Sequence, residues 1–90
     1  MKLLSKVKVK NRLGIHTRPA TVIVQLLQNC QSQVTFTYKQ ETINAKSILS
    51  ILMLAARKNS VITIDVEGED AEQVMQKLTE AFDNQFGEAF

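Results

Sequence analysis

The stretch KVKVKNRLGIHTRPATVIVQLL, residues 6–27, contains the change of hydrophobic period that decides the fold. Up to Lys10 valines alternate with lysines, which is typical of a strand with one half-buried face and one solvated lysine face. From about Arg18 the apolar residues recur three and four positions apart, as on one helix face, and Pro19 suits the first turn of such a helix. That face consists of Ala20, Ile23, Val24 and Leu27. The stretch therefore predicts a strand, a turn and an amphipathic helix in direct succession.

The rest of the chain repeats the same two periods. VTFTYK and ETINA alternate on either side of a tight turn at Lys39–Gln40, so they predict a hairpin. Residues 46–59 and 68–86 predict helices, and the segment SVITIDVEG between them predicts a strand. The order β-α-β-β-α-β-α predicts one α+β domain over residues 1–90, an open-faced sandwich in which three helices cover one face of a four-stranded antiparallel sheet.

The predicted ends of the second and third helices carry capping signals. Ser47 stands at the N-cap position of the second helix, and Arg57 and Lys58 stand near its C-terminus, where cations stabilise the helix dipole. Asp70 and Gln73 have the spacing of a capping box at the start of the third helix. We expect these residues to stabilise the ends of the two helices.

The composition limits the class of protein. Eleven Lys and Arg residues against nine Asp and Glu give a net charge of +2, too mild to indicate a nucleic-acid partner. Cys30 is the only cysteine, so an internal disulfide cannot form and a reducing compartment is favoured. No apolar run approaches the roughly 20 residues that span a bilayer, and the start lacks the apolar region of a signal peptide. We expect a cytoplasmic monomer without membrane insertion.

His16 is the only histidine and the main candidate for chemistry. A metal site needs several ligands, and the chain offers no second histidine, so we expect no metal. A serine-histidine-aspartate triad is also disfavoured, because no serine has the sequence context of a nucleophile elbow. Two interpretations remain: an exposed turn histidine, or a histidine that is itself the nucleophile.

The predicted start of the first helix favours phosphate chemistry at His16. The first N–H groups of a helix lack partners within the helix and lie at the positive end of its dipole, so they bind anions. Thr17 and Arg18 supply such N–H groups, and the Arg18 guanidinium suits phosphate oxygens. A phosphoryl group on His16 would lie among these donors. The residues alone still allow the other interpretation, in which His16 is an exposed turn histidine.

NRLGIHTRPA, which contains His16, resembles the active-site signature of the HPr family, the histidine-containing phosphocarrier proteins of the phosphotransferase system. The family pattern is Leu-Gly-(Leu/Met/Ile)-His-x-Arg-Pro-Ala. NAKSILSILMLA resembles the second family signature, and its Ser47 follows His16 by 31 positions (47 − 16), as in the family. ITIDVEGEDAEQVMQKLTEAF is similar to the last strand and helix, so the resemblance covers nearly the whole chain.

The resemblance implies a phosphocarrier rather than an enzyme, with no cofactor. Such a protein accepts a phosphoryl group from phosphorylated enzyme I on Nδ1 of its histidine, here His16. Arg18 would stabilise the group, with the backbone N–H groups of Thr17 and Arg18 cradling it. The carrier then passes the group to a IIA protein or domain. Sugar transport is the usual context, and a nitrogen-related regulatory branch is the alternative, which SILSILML and FDNQFGE resemble.

Ser47 has two compatible interpretations. It caps a helix, and the resemblance also implies a regulatory phosphorylation site for an HPr kinase/phosphorylase. A phosphate adds about two negative charges, which would oppose docking of an acidic partner at the His16 surface.

The second helix is too apolar to bury every face, so part of it is expected to be a docking surface. The resemblance implies that Ile48, Leu49 and Leu52 dock enzyme I and IIA partners. Ile51 and Leu54, on the other face, are expected in the core. The family often has glycine at the positions of Ser50 and Ala55, and this chain departs from that pattern.

A different class of protein, a small nucleic-acid-binding α+β module, would use the basic first strand and a sheet displaying Phe36 and Tyr38. Aromatic residues make up 6% of the chain, tryptophan is absent and no RNA-recognition motif occurs, so this alternative is weaker.

Overall fold

The computed structural model describes residues 1–88 and confirms the predicted order of elements. Four strands, three α-helices and a short 3₁₀ turn make up this part of the chain. They are β1 (Lys2–Lys8), α1 (Thr17–Leu27), β2 (Gln33–Tyr38), β3 (Glu41–Asn44), α2 (Ile48–Met53), β4 (Val61–Glu67), α3 (Ala71–Asp83) and the 3₁₀ turn (Gln85–Gly87).

The four strands form one antiparallel sheet in the order β1-β4-β2-β3. Ile64 in β4 pairs with Ser5 on one side and with Phe36 on the other, so β4 is a central strand. α3 packs against β1 and β4, α2 packs against β3, and α1 packs against the other two helices. The predicted open-faced α+β sandwich is therefore confirmed.

The core lies between the sheet and the helices. Alternate residues of β2 and β4 point into it, as the period of two predicts; they are Val34, Phe36, Ile62, Ile64 and Val66. The helices contribute fully buried residues at helical spacing, among them Ala20, Ile23, Leu27, Ile51 and Leu78. Each large apolar side chain buried in this way stabilises the fold by roughly 1.5–3 kcal/mol. Val24, placed on the same face by the sequence pattern, is half-buried against this core.

Phe36 contradicts the nucleic-acid alternative. Its ring is completely buried and packs edge to face on Phe82, with 5.9 Å between ring centroids. A base can stack only on an exposed aromatic face. The sheet therefore has no stacking platform at Phe36.

α2 is shorter than predicted. It ends at Met53, and Ala55 then takes a left-handed φ of 51°. The chain turns there because Ala56 is buried and its carbonyl oxygen accepts a hydrogen bond from Ile15 N–H at 3.0 Å. Arg57 and Lys58 thus lie beyond the helix, and the prediction that they stabilise its C-terminus is wrong.

The predicted capping box of α3 is also wrong. Asp70 is the N-cap residue, but its carboxylate makes no capping bond and bonds to the segment before β2 instead. Ser32 Oγ donates to it at 2.5 Å and Gln31 N–H donates at 2.8 Å. These two hydrogen bonds, Ser32 first, lower the pKa of Asp70. Tertiary contact has replaced the local cap, because the loop brings two donors to the same carboxylate.

No helix within residues 1–88 is long and apolar enough to cross a bilayer. No three His, Cys, Asp or Glu side chains in that same range lie where they could hold a metal ion together.

Candidate active site

The turn between β1 and α1 positions His16, and Gly14 makes that turn possible. Gly14 has a φ of +70°, and a Cβ at this position would collide with the carbonyl oxygen of Ala56. Its N–H donates to Asn11 O at 3.1 Å, which closes the turn. The neighbouring Ile15 is buried and bonded to Ala56, so the start of α1 is anchored to the chain that follows α2.

His16 is the N-cap residue of α1. Its backbone is extended, with φ −91° and ψ −163°, and its side chain makes no capping hydrogen bond. Its carbonyl oxygen accepts from Ala20 N–H, and Pro19 has no N–H, so Thr17 and Arg18 carry the free N–H groups of the first turn. Both residues are exposed. This helix start can bind an anion, as the sequence predicts.

The His16 ring is held by a carboxylate that sequence reasoning missed. Its Nε2 lies 2.8 Å from Oε2 of Glu88. The Glu88 side chain is 1% exposed, whereas the His16 side chain is 34% exposed. One ring nitrogen is thus bonded inside the protein while the imidazole remains accessible to solvent.

Asn11 completes this network, and it too was missed. It is fully buried, and its Nδ2 donates to Gly14 O at 2.5 Å and to Glu88 Oε1 at 2.9 Å. Both partners are acceptors, which settles which way the amide faces. Its Oδ1 is buried and receives no hydrogen bond from the described part of the chain. Asn11 therefore ties the turn before His16 to Glu88.

The end of the chain reaches the site because α3 stops early. The sequence predicts helix through Phe86, but α3 ends at Asp83 and the next residues turn back. Gln85, Phe86 and Gly87 have φ values of 60°, 56° and 79°. Phe86 is buried against Phe82, with 4.8 Å between ring centroids, and this contact anchors the turn. The available signal was the segment FGE after an amphipathic helix, which does not reveal a partner 72 positions away.

The predicted phosphoryl-handling residues lie together. His16, Thr17, Arg18 and Glu88 line one open depression at the start of α1. Thr21 and Gln25 of α1 also line it. The depression is open to solvent, which suits a group exchanged between proteins.

Ser47 is the N-cap of α2, as predicted. Its Oγ accepts a hydrogen bond from Ser50 N–H at 3.2 Å, and the residue is half-buried. α2 packs directly against α1, so Ser47 and His16 stand at the starts of two adjoining helices.

The expected docking face of α2 is only partly exposed. Ile48 is 38% and Leu49 is 69% exposed, whereas Leu52 packs against the core. Ile51 and Leu54 are buried, as predicted. Met53, which the sequence pattern did not single out, is 70% exposed. The exposed apolar residues of α2 are therefore Ile48, Leu49 and Met53.

The fold is an open-faced sandwich, and its site is an accessible histidine at a helix N-terminus, which suits a protein that carries a phosphoryl group. The family model described as PTS HPr component phosphorylation site matches residues 4–84, and the chain belongs to this HPr family of phosphocarriers of the phosphotransferase system. The phosphocarrier protein HPr of Chlamydia muridarum is 49% identical over 80 residues, which cover 89% of this chain and 77% of the relative.

Solved structures agree with this assignment. HPr-C-His from Thermoanaerobacter tengcongensis has a TM-score of 0.93 at 31% identity, over 98% of this chain and 99% of that one. A structure described as an HPr dimer from the same organism has a TM-score of 0.77 at 33% identity, over 91% and 94% of the two chains.

Proposed function

We propose that this phosphocarrier accepts a phosphoryl group on Nδ1 of His16 from phosphorylated enzyme I and passes it to a histidine of a IIA protein. The observation that carries the proposal is the position of His16: it is the N-cap of α1, 34% exposed, and its side chain is not used for capping. A phosphoryl group on the ring would meet the N–H groups of Thr17 and Arg18.

Arg18 would stabilise the charge of the group in transit. It is exposed in the same depression as His16, and no acidic partner within 4 Å occupies it among residues 1–88. A guanidinium offers paired donors to phosphate oxygens and keeps its charge at any working pH. It is therefore available to hold the phosphoryl group during transfer.

Incubation with enzyme I and labelled phosphoenolpyruvate tests the proposal. We expect one acid-labile, base-stable phosphoryl group on the wild-type protein and none on His16→Ala. Gln28→Ala, an exposed change at the other end of α1, is the matched control and is expected to be labelled normally. Labelling of His16→Ala would disprove the assignment of the acceptor.

Docking of both partners would use the exposed apolar residues of α2, with Lys46 and Arg18 at the rim. Leu49→Asp is expected to raise the KM with which enzyme I uses the carrier as its substrate and to leave kcat unchanged. Leu4→Asp is the matched control, because Leu4 is 65% exposed on a strand instead of on α2. Equal effects of the two variants would remove α2 from the docking surface.

Phosphorylation of Ser47 would regulate the carrier. Its hydroxyl is half-buried at the start of α2, beside α1, so a phosphate there adds negative charge near the surface that approaches acidic partners. ATP with an HPr kinase/phosphorylase should give an acid-stable phosphate that Ser47→Ala loses and Ser50→Ala keeps. If the kinase leaves the wild-type protein unmodified, Ser47 is a cap and nothing more.

The IIA acceptor decides between the sugar-transport and the nitrogen-related branch. The segments SILSILML and FDNQFGE favour the nitrogen-related branch as the second candidate. Phosphorylated protein offered equal amounts of a sugar-type and a nitrogen-type IIA protein should transfer its label faster to the true partner.

The carrier is proposed to act as a cytoplasmic monomer, since both partners need access to the start of α1. One relative was described as a dimer, so the mass in solution should be measured by light scattering. A stable dimer would refute this part of the proposal.

A further inference from the structure

We infer that Glu88 is a positioning residue for His16: it fixes the imidazole with its proton on Nε2 and its lone pair on Nδ1, and it balances the charge that the ring acquires when phosphorylated. Only the charge-balancing role of Glu88 rests on the proposed function. The choice of tautomer is a property of the unphosphorylated protein and can be measured without phosphoryl transfer.

The hydrogen bonds of Glu88 carry the argument about the ring. A carboxylate that is 1% exposed must be compensated by hydrogen bonds, and here each oxygen has a partner. Oε1 accepts from Asn11 Nδ2 at 2.9 Å, and Oε2 lies 2.8 Å from His16 Nε2. An ionised carboxylate can only accept, so Nε2 must be the donor and must hold the proton. In the neutral ring the lone pair is then on Nδ1.

This tautomer determines which nitrogen can react. Nε2 is bonded to a buried group and has no free lone pair, whereas Nδ1 is not engaged by any hydrogen bond within residues 1–88. The geometry therefore selects Nδ1 as the nucleophile, independently of any resemblance to a family. A carboxylate that orients a histidine through its second nitrogen plays the same part in serine proteases and in metal sites.

The same contact serves the transfer step. The Nδ1 lone pair forms the N–P bond as the bond from phosphorus to the donor breaks, and the Nε2 proton stays in place. The phosphorylated ring is then cationic, and the Glu88 carboxylate lies against its Nε2–H. When the group moves on, the N–P bond breaks and its electron pair returns to Nδ1. A fixed negative charge beside a developing positive charge is electrostatic preorganisation.

The segment after α3 turns back and brings this carboxylate to the ring. Gln85 and Phe86 both take left-handed φ values, which are unfavourable in residues with a side chain. Burial of Phe86 against Phe82 offsets that cost. Glu88 lies beyond residues 4–84, the range that the family model matches.

Nitrogen-15 NMR of the His16 ring, at a pH where the imidazole is neutral, tests whether Glu88 fixes the ring proton on Nε2. We expect the Nε2–H form alone in the wild-type protein and a mixture of both tautomers in Glu88→Ala. An Nδ1–H tautomer in the wild-type protein would overturn the inference, and that measurement needs no variant to fold. It also needs no enzyme I, so it stands even if the proposed function fails.

Steady-state kinetics of phosphoryl transfer from enzyme I test whether Glu88 balances the charge of the phosphorylated ring. Glu88→Gln keeps the side-chain volume and is expected to lower kcat about 10–100-fold, the loss typical of a residue that orients a metal-ligating histidine through its second nitrogen, while KM changes less than about twofold. Glu80→Gln, an exposed glutamate on α3, is the matched control and should behave as wild type. Unchanged kcat in a folded Glu88→Gln variant would refute the charge-balancing role. Absence of labelling in the wild-type protein would instead refute the proposed function.

Discussion

The starts of α1 and α2 use their backbone donors in opposite ways. At α2 the N-cap Ser47 accepts a hydrogen bond from Ser50 N–H, so a donor of the first turn is satisfied locally. At α1 the N-cap His16 turns its ring toward Glu88 and makes no capping bond, so Thr17 and Arg18 keep their N–H groups free. A helix start stabilised by its cap belongs to the fold, whereas a helix start left open can receive a phosphoryl group.

The first prediction removes the side-chain charge at the open helix start. Arg18→Ala should lower kcat for phosphoryl transfer about 100-fold, since loss of one donor to a developing anion typically costs that much. Arg12→Ala removes the same charge from the exposed loop before His16 and should change kcat less than about threefold. Equal losses in the two variants, measured with enzyme I, would show that only net charge matters.

A second prediction distorts the open start itself. Gly14→Ala should destabilise the fold by at least about 2 kcal/mol, because a left-handed φ disfavours alanine and its Cβ would meet the backbone of Ala56. Denaturant unfolding measures the change, and Gly87→Ala is the control, since Gly87 also has a left-handed φ but open space around it. If both variants lose the same free energy, the contact with Ala56 contributes nothing.

At the start of α2, where Ser47 caps the helix, a substitution should change the stability of the fold instead of phosphoryl transfer. Ser47→Ala is expected to lower the free energy of unfolding by about 1 kcal/mol through loss of the cap, with little effect on transfer to His16. Ser50→Ala lies inside the same helix and should not destabilise it, because alanine favours helices more than serine does. A neutral Ser47→Ala variant would mean that the capping bond has no energetic weight.

Ala55 follows the end of α2 in a left-handed conformation. Ala55→Gly should stabilise the protein by about 0.5–1 kcal/mol, since glycine adopts the left-handed φ of 51° without the penalty that alanine has. Thermal unfolding measures the gain. Ala71→Gly, at the start of α3, is expected to have the opposite sign. A loss of stability in Ala55→Gly would show that the entropy of the unfolded chain outweighs the backbone strain.

Asp70 stands at the start of the third helix, α3. Its substitution should change the free energy of unfolding least among these variants, because the carboxylate is close to solvent. Its pKa in the folded protein is lowered, so its stabilising contribution is present above the ordinary value of about 3.9 and is lost as the pH falls through the folded value. The difference in unfolding free energy between wild type and Asp70→Asn should therefore be constant near neutral pH and shrink in acid. A pH-independent difference would contradict a role for the charge.

Local patterns in the sequence were sufficient for the order of the elements and for the place of His16 before the first helix, but not for the ends of α2 and α3. The change from a period of two to a period of 3.6 around His16, and the N-cap at Ser47, involve residues within one helical turn of each other. Such signals act in the isolated chain, so the strands, the helices and the place of His16 at a helix start could be predicted, whereas its role as an acceptor was implied by the family resemblance. Buried and exposed faces followed from the same periodicity, as Ile51 and Leu49 show.

The sequence by itself therefore determined the order of elements, the antiparallel sandwich and the place of His16 at a helix start. Only the tertiary structure decided that α2 ends at Met53, that Asp70 bonds to Ser32 instead of capping α3, and that Glu88 holds the His16 ring. The physical reason is distance along the chain: the contacts of Asp70 and Glu88 join residues 38 and 72 positions apart, and they form only when packing brings the two polar groups together. A polar group in the interior bonds to the partner that the fold supplies, and no local pattern records which partner that is.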